Sequence, residues 1–567
     1  MKKIHIYIAI IMIGFLAACT DNILDQKPLS SFTDSAVWGD LALSETYLND
    51  QYNSVESETQ KGSRFSSFTE EIYQMWKYGT ESVVQGTLSP DQSSIGWDGS
   101  TWNPWKFYYK AIRNSNIFLE RIDQVPAVGA DNIKWKQQQR GQAFFLRGYF
   151  YCQLYSLFGE VPIITSSYGL NDDFFKDVAR APKDQVADFV VSQCDSAAKY
   201  LPVNYTEAKN LGRATKGAAL ALKARTLLYA ASPLFGTPSQ AKWQRASDAN
   251  KAVIDLKDEN GVLAYSLQSV SNSEEYANLF VDNKNPEVIF EKLYNSQNEG
   301  IFNFSYLSQA PCGSGSGFGG WGNFQATQEI VDQFEMADGK PYQRGAKTEN
   351  PYLNRDLRLA ATVFTDGCHW GYAADDREVE TFFSGEEGVP NGKDSRQGDT
   401  WWNGTQTGYY VKKFLDRKYN TYGTESPVTP WFVFRLAEFY LNYAECQIEL
   451  GNTGEAVNYI NKIRERALMP DITADNIVEK YRHERQIELV FEGQRWFDIR
   501  RWKIIEDVYQ KPVTGMIIMK YKDGSKTYEL NPQAIETKVF HAPQNYWLPI
   551  PRSELRKAKN IDPAPYN

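Results

Sequence analysis

Apolar residues recur at helical spacing over much of this chain of 567 residues. Between Gln139 and Gly159 they form one stripe that fits a helix better than the alternation of a strand. The stripe consists of Phe144, Phe145, Tyr149, Cys152, Tyr155 and Leu157. Gly159 and Pro162 mark its end, since both residue types stop helices. Residues 214–232 and 431–451 carry similar patterns, and we predict long amphipathic helices in all three places.

The helix that begins near residue 431 continues into a second helix after a tight turn. Gly451 and Asn452 supply the turn, and Pro470 follows the second helix. The small residues Ala444 and Ala456 stand where paired helices would touch. This is the pattern of a tetratricopeptide repeat, a helical hairpin that hides its apolar face only by stacking on neighbouring hairpins. Looser copies at 37–122, 133–200 and 215–256 bring the predicted number of helix pairs to four.

The fold class we predict is mainly α: four tetratricopeptide-like helix pairs form a scaffold that carries a large irregular insertion of loops and short strands. The insertion is rich in Gly, Asn, Asp and aromatic residues. The predicted parts are a lipoprotein signal peptide (1–18), a lipidated tether (19–36), an N-terminal helical part (37–256), the insertion (257–430) and a C-terminal helical part (431–567). We expect ligands to bind on the insertion side, because loops on a rigid scaffold commonly carry binding residues.

The N-terminus predicts export and membrane attachment. Lys2 and Lys3 precede an apolar run that is too short for a membrane span, and small residues then lead to Cys19. The sequence Leu16-Ala17-Ala18-Cys19 resembles a bacterial lipobox, which implies cleavage before Cys19 and lipidation of its thiol. An ordinary signal peptide with an accidental cysteine is the alternative. Each buried CH₂ contributes roughly 0.8 kcal/mol, so several acyl chains would hold the protein on a membrane without spanning it.

Charge and cysteine spacing exclude several function classes. The net charge of -9 is spread along the chain, and no basic patch of the nucleic-acid-binding type is present. The cysteines after Cys19 are widely spaced and lack a C-x-x-C pair, so neither a disulfide framework nor a zinc site is predicted. We therefore expect no nucleic acid, no metal and no cofactor.

The sequence also lacks the common enzyme motifs, including G-x-S-x-G, Walker A and H-E-x-x-H. The glycine pattern at 315–320 matches a dinucleotide loop but has no surrounding βαβ unit. Glu488 and Glu492 lie four residues apart on one predicted helix and could form a glycosidase pair. Nearby arginines would lower their pKa and spoil a general acid; these are Arg485, Arg495, Arg500 and Arg501. We predict an ion-paired structural helix instead, and a protein that is not an enzyme.

Tryptophans in loops are the candidate binding chemistry. A sugar ring has a weakly apolar face that an exposed indole can cover, and its hydroxyls pair with amide side chains. The candidate ligand-binding residues are Trp97, Trp102 and Asn103 in the 90–104 loop, and Trp321 and Asn323 in the 310–325 loop. Trp370, Trp401 and Trp402 in the 365–405 loops are the second choice. For each ring, packing in the core is the alternative.

Several stretches together resemble the SusD/RagB family of outer-membrane lipoproteins. They include the lipobox followed by ILDQKPLSSFTD, then WKFYYKAIRNSNIFLERI, FFLRGYFYCQLYSLFGEVPII, RATKGAALALKARTLLYAASPLF, RLAEFYLNYAEC, ERQIELVFEGQRWFDIRRW and YWLPIPRSEL. The resemblance covers nearly the whole mature chain in the family's order. Trp105 begins the family's W-x-x-x-Y-x-x-I-x-x-x-N helix motif, so we expect it to be structural.

The resemblance implies a non-enzymatic, glycan-binding lipoprotein that is anchored in the outer membrane and faces the cell exterior. Such a protein captures oligosaccharide or polysaccharide and delivers it to a partner SusC-like TonB-dependent transporter. The alternatives are a lipid-anchored glycoside hydrolase, and a peptide-capturing or structural scaffold subunit of the transporter.

Replacing Cys19 by Ala should release the protein into the soluble fraction, because the acyl chains on Cys19 are the only membrane attachment that the sequence predicts. Cell fractionation in a strain that lacks the transporter measures this, with Cys368→Ala as the matched cysteine control. Retention of the Cys19→Ala protein on the membrane at the wild-type level would show that the lipobox interpretation is wrong.

Overall fold

The computed structural model describes residues 33–55, 64–77, 80–95, 102–169, 177–282, 284–294, 309–313, 319–370, 376–419 and 428–566. The predicted mainly helical fold class is confirmed. Within the described residues the α-helices are α1 Asp34–Gly39, α2 Leu41–Gln51, α3 Arg64–Ser67, α4 Glu81–Val84, α5 Pro104–Arg121, α6 Ala130–Phe158, α7 Lys183–Tyr200, α8 Lys216–Ala231, α9 Gln240–Ile254, α10 Ser273–Asn278, α11 Gln328–Gln333, α12 Leu357–Thr362, α13 Leu436–Glu449, α14 Thr453–Arg466, α15 Ile477–Glu488, α16 Arg495–Arg501, α17 Ile505–Tyr509 and α18 Arg552–Lys557. None of the helices in these ranges is both long and apolar enough to cross a bilayer.

The strands are short and form small sheets. They are β1 Ile72–Gln74, β2 Val288–Lys292, β3 Phe324–Ala326, β4 Val363–Phe364, β5 His369–Trp370, β6 Arg377–Glu378, β7 Phe383–Ser384, β8 Tyr410–Val411, β9 Trp431–Arg435, β10 Met516–Lys520 and β11 Lys526–Leu530. Strands β1 and β3, β2 and β9, β4 and β8, and β5 and β6 pair antiparallel. Strand β10 pairs antiparallel with β11 and parallel with β7.

The long helices stack one on the next, from α5 through α6, α7, α8 and α9 to α13 and α14. Ala444 and Ala456 are fully buried where α13 meets α14, and Gly451 turns the chain between them at φ +84°. Helices α9 and α13 are neighbours although the whole insertion separates them in sequence, and Gln447 donates to Ser247 Oγ across this contact at 2.8 Å. The insertion therefore leaves the stack after α9 and the stack resumes at α13.

A second hydrophobic core lies under the insertion. Its buried members come from all three large predicted parts of the chain, for example Ile72, Phe324, Val411, Ile487 and Ile518. Burial of such side chains is worth about 25 cal/mol per Å² of apolar surface. The short strands of the insertion are thereby fixed to the helical scaffold.

A buried ionic network joins the insertion to the scaffold. Arg435 donates from Nη1 to Glu488 Oε1 at 2.7 Å and from Nε to Glu492 Oε2 at 2.8 Å. Arg358 donates to Glu488 Oε2 at 3.2 Å, and Arg466 also pairs with Glu488. The side chain of Glu488 is fully buried. The prediction that Glu488 and Glu492 are ion-paired structural residues is confirmed, but the two do not share a helix: α15 ends at Glu488, and Glu492 lies in the turn that follows, where Phe491 has a φ of +63°.

The partners of Glu488 decide its charge. Burial raises the pKa of the Glu488 carboxyl, but Arg466, Arg435 and Arg358 outweigh burial and hold this pKa well below its usual range. Glu488 is therefore an anion in the folded protein. A carboxyl in that state does not supply a proton as a general acid near neutral pH.

Replacing Glu488 by Gln should lower the free energy of unfolding by about 3–5 kcal/mol at pH 7, because it removes one buried counter-charge that Arg358, Arg435 and Arg466 share. Chemical denaturation measures this loss. Glu479→Gln is the matched control, since Glu479 is exposed on the same helix, and it should change stability little.

The loss should also depend on pH. The folded-state pKa is lowered, so the carboxylate stabilises the fold fully above the ordinary value of 4.5 and progressively less as the pH falls below it. A difference between wild type and Glu488→Gln that stays constant from pH 7 down to pH 3 would contradict the assignment.

Candidate functional site

Exposed tryptophans gather around one glycine-rich segment of the insertion. Of the large aromatic side chains in the described ranges, three are well exposed: Trp76 at 39%, Trp401 at 62% and Trp402 at 51%. Backbone contacts place them beside residues 319–323: the N–H of Trp76 bonds to Asn323, and the turn that carries Trp401 and Trp402 meets Gly322. Trp321 in this segment is partly exposed. We call Trp76, Trp321, Trp401 and Trp402 the tryptophan surface. Large apolar groups grouped at a surface usually mark a binding site.

Trp401 and Trp402 stand on a single 3₁₀ turn, Trp401–Asn403. Their rings meet edge to face, with centroids 5.9 Å apart and planes at 83°. The turn is closed by Asn403 N–H, which donates to Thr400 O at 2.9 Å. Thr400 Oγ1 in turn donates to Cys312 O at 2.6 Å. The two rings are thus carried by a turn that is tied to the 309–313 segment.

Two glycines let neighbouring segments approach the 319–323 segment backbone to backbone: Gly322 faces this turn, and Gly320 faces Ala310. A Cβ on Gly322 would lie 2.5 Å from the carbonyl oxygen of Asn403, and Gly322 also has a φ of +53°. A Cβ on Gly320 would lie 2.1 Å from the carbonyl oxygen of Ala310. Side chains at these positions would push the loops apart. The glycines therefore serve packing, and the aromatic rings project from a closely packed base.

Trp76 reaches the same segment from the other side. Strand β1 ends at Gln74, opposite Phe324 of β3. The chain then continues along the partner strand, with Met75 N–H donating to Asn323 O at 3.0 Å and Trp76 N–H donating to Asn323 Oδ1 at 2.6 Å. Gln74 Nε2 donates to Trp76 O at 2.7 Å. Both polar groups of the Trp76 backbone are therefore held by buried amide side chains.

The structure corrects part of the predicted site. Trp102 was predicted to be an exposed stacking residue, and this is wrong: it is only 4% exposed and packs edge to face on Phe65 at 6.5 Å and on Tyr108 at 6.4 Å. Its ring faces are occupied by the core. Trp97 lies outside the described residues, as does Cys19.

The two predicted asparagines are used by the fold. Asn103 is the N-cap of α5, where its Oδ1 accepts from Lys106 N–H at 3.2 Å and its Nδ2 donates to Ser93 Oγ at 3.0 Å. Such a cap typically stabilises a helix by about 1 kcal/mol. Asn323 is fully buried beneath Trp76. Both amides act on the backbone around the rings.

The remaining tryptophans divide between core and surface. Trp105 is 5% exposed and packs edge to face on Phe158 at 5.1 Å, so its predicted structural role is confirmed. Trp370 is 3% exposed and packs on Phe364. Trp76 was missed, because the candidate rings were taken only from the 90–104, 310–325 and 365–405 loops, and Trp76 lies just beyond β1.

The carboxylate that supports the Trp401 turn is fully engaged. Asp394 has a completely buried side chain, and its oxygens accept from Arg377 at 2.8 and 3.0 Å, from Gly313 N–H at 2.8 Å and from Glu380 N–H at 2.8 Å. Its charge is neutralised and its lone pairs are occupied. The arrangement suits the binding of a neutral ligand face by rings and gives Asp394 no free lone pair for acid–base chemistry.

Comparison with known proteins agrees with this architecture. One family model, described as the SusD family, matches residues 286–566, and another, described as starch-binding associating with outer membrane, matches residues 22–228. A solved SusD-like protein from Bacteroides fragilis is 25% identical with a TM-score of 0.77, covering 95% of this chain and 99% of that one.

Two further relatives show the same extent of similarity. A second Bacteroides fragilis structure, described as a SusD-like carbohydrate binding protein, is 22% identical with a TM-score of 0.73 and covers 93% of this chain and 99% of that one. SusD-like protein P38 of Formosa agariphila is 23% identical over 550 residues, which is 91% of this chain and 94% of the relative. The chain therefore belongs to the SusD/RagB family.

Proposed function

We propose that the protein captures oligosaccharide on the tryptophan surface and delivers it to a SusC-like TonB-dependent transporter at the outer membrane. The observation that carries the proposal is the grouping of three exposed tryptophans around residues 319–323. Indole rings cover the C–H face of a sugar. One of the two matching family models is described as starch-binding, and one similar solved structure is described as a carbohydrate binding protein.

The energetics favour a site that uses several rings together. Covering ~50 Å² of a sugar face at ~25 cal/mol per Å² contributes on the order of 1 kcal/mol per ring before ordering costs. One ring alone gives little affinity, whereas two or three adjacent rings give useful but reversible binding. Reversibility suits a protein that passes its ligand onward.

The proposed membrane location and the proposed transporter partner rest on different observations. The lipobox at Cys19 supports a lipid anchor, and the family description supports association with the outer membrane. The outward-facing orientation and the transporter partner rest on the family resemblance. The stacked helix pairs α5 to α14 offer a rigid scaffold for the transporter contact.

A non-enzymatic role is supported by the state of the carboxylates. Glu488 and Glu492, the pair with glycosidase-like spacing, are locked to Arg435, and Glu492 also accepts from Lys413 at 2.7 Å. Incubation of the purified protein with a glycan panel tests capture against hydrolysis. Retarded migration in glycan-containing native gels supports capture, and released reducing ends would establish the glycoside hydrolase instead.

Replacing Trp401 or Trp402 by Ala should weaken glycan binding roughly tenfold, which corresponds to ~1.4 kcal/mol. The melting temperature should hardly change, because both rings are more than half exposed. Calorimetric titration with the retarded glycan measures the binding, and thermal unfolding measures the stability.

Leu353→Ala is the matched control, since Leu353 is also 62% exposed but lies outside the tryptophan surface. It should leave binding and melting temperature unchanged. If both tryptophan variants bind the glycan with wild-type affinity, the tryptophan surface is not the capture site.

Asn323 should act on binding through the position of Trp76. Asn323→Leu removes the acceptor of the Trp76 N–H, and an unpaired buried N–H costs about 1–3 kcal/mol. We expect this variant to bind glycan more weakly and to melt earlier. Asn323→Asp keeps an acceptor oxygen at the same place, so it should retain more affinity than Asn323→Leu even though it also melts earlier. Equal affinities for the two variants would refute the positioning role.

A further inference from the structure

A second cleft is built from residues that the tryptophan surface does not use. It lies among α6, α8, β9 and the 492–497 turn. Its walls are aromatic: Phe65, Tyr108, Tyr149, Tyr229, Trp431 and Phe497. Its cavity volume is about 70 Å³. On the measure by which one water needs ~10–15 Å³, this is space for about five to seven water molecules, comparable with one sugar ring.

Polar groups converge on this cleft without a described protein partner. Gln494 lines it, and the Oε1 of Gln494 is buried and accepts no hydrogen bond from the described residues. Gln153 lines it too, and its amide makes no hydrogen bond to a described residue. Buried polar groups are normally paired, so the Oε1 of Gln494 points to an additional partner, and the half-buried amide of Gln153 stands beside it in the same lining.

Arg225 adds a third group. Its Nε and Nη2 donate to Glu438 at 2.7 and 2.6 Å, and Nη2 also donates to Val433 O at 2.8 Å. This leaves Nη1 without a hydrogen-bond partner among the described residues, although the side chain is only 11% exposed. The guanidinium is thus fixed on one side and offers N–H groups on the other.

The charges around the cleft are already balanced. Arg225 is neutralised by Glu438, and Glu492 by Arg435 and Lys413. No free charge is left at these positions to attract an ion. The groups that remain are two amides, which both donate and accept, and guanidinium N–H donors, while aromatic rings form the walls.

We propose that this cleft binds one neutral monosaccharide ring. The ring packs between the aromatic walls, and its hydroxyls, which also donate and accept, pair with the amides of Gln153 and Gln494 and with Arg225 Nη1. The ring can come from a free monosaccharide or from the terminal residue of a glycan. This site is independent of capture at the tryptophan surface, because the two share no residue.

Saturation-transfer NMR with glucose, galactose, mannose, xylose and N-acetylglucosamine tests the proposal on the full mature protein. At least one of these sugars should bind saturably. The double variant Gln153→Leu/Gln494→Leu should weaken that binding at least tenfold, and Gln153→Phe, which fills the cleft, should abolish it. Gln533→Leu is the matched control, since Gln533 is exposed and does not line the cleft.

Further measurements distinguish the cleft from the tryptophan surface, and a free monosaccharide from the terminal residue of a glycan. Trp402→Ala should leave monosaccharide binding in the cleft unchanged, whatever it does to polysaccharide binding. If the natural ligand is the end of a glycan chain, a disaccharide that ends in the preferred sugar should bind as well as the free sugar. If the natural ligand is the free monosaccharide, the disaccharide should bind much more weakly.

Three results would overturn the proposal. One is that none of the five sugars binds, and another is that the double glutamine variant binds them like wild type. The third is a crystal structure soaked in the preferred sugar that holds only water in the cleft. Thermal unfolding of each variant shows that a lost signal is not lost folding.

Discussion

The buried ion network around Glu488 is the constraint on which the rest of the structure depends. Removing charges from water carries a large penalty, which is offset only when every charge has its partner in good geometry. Glu488 meets this condition through arginines from three separate elements, Arg358 of α12, Arg435 of β9 and Arg466 of α14. The network therefore forms only when the insertion and the scaffold are both in place. The network therefore stabilises only the complete fold, and it adds to the local hydrophobic packing.

The position of the tryptophan surface follows from that network in a few steps. Arg358 fixes α12, and α12 runs directly into β4, which pairs with β8. Beyond β8, Lys413 is bonded to Glu492, so the β4–β8 ladder is held at both ends. Tyr410 of β8 packs against Gly322 and donates its hydroxyl to Asp394 O at 2.6 Å. Buried ion pairs and buried aromatic contacts thus hold in place the loops that carry the exposed tryptophan rings. Rigid support of this kind lowers the ordering cost of binding.

The fold was predictable where its causes are local. Helix period, the small residues Ala444 and Ala456 and the turn at Gly451 all act within a few residues, and the structure bears them out. The ion-paired state of Glu488 was also predictable, but its partners were not. Arg485, a sequence neighbour, pairs with Asp498 at 2.7 Å, whereas the partners of Glu488 come from distant parts of the sequence. Loop composition pointed to tryptophans, yet Trp102 is buried and Trp76 is exposed, because exposure depends on which remote segment covers each ring.

Buried amides show most clearly why the sequence alone does not identify the residues of the site. Asn323 and Gln494 are both amide residues that directly follow a glycine, Gly322 and Gly493. In the structure the Oδ1 of Asn323 is satisfied by the Trp76 backbone from 247 positions away, so this amide positions a neighbour. The Oε1 of Gln494 meets no such partner among the described residues and turns toward an aromatic-walled cleft. The role of each amide oxygen is decided by the remote group that it meets. The Oδ1 of Asn323 meets a backbone N–H and supports the scaffold, whereas the Oε1 of Gln494 lines the cleft and is open to a ligand.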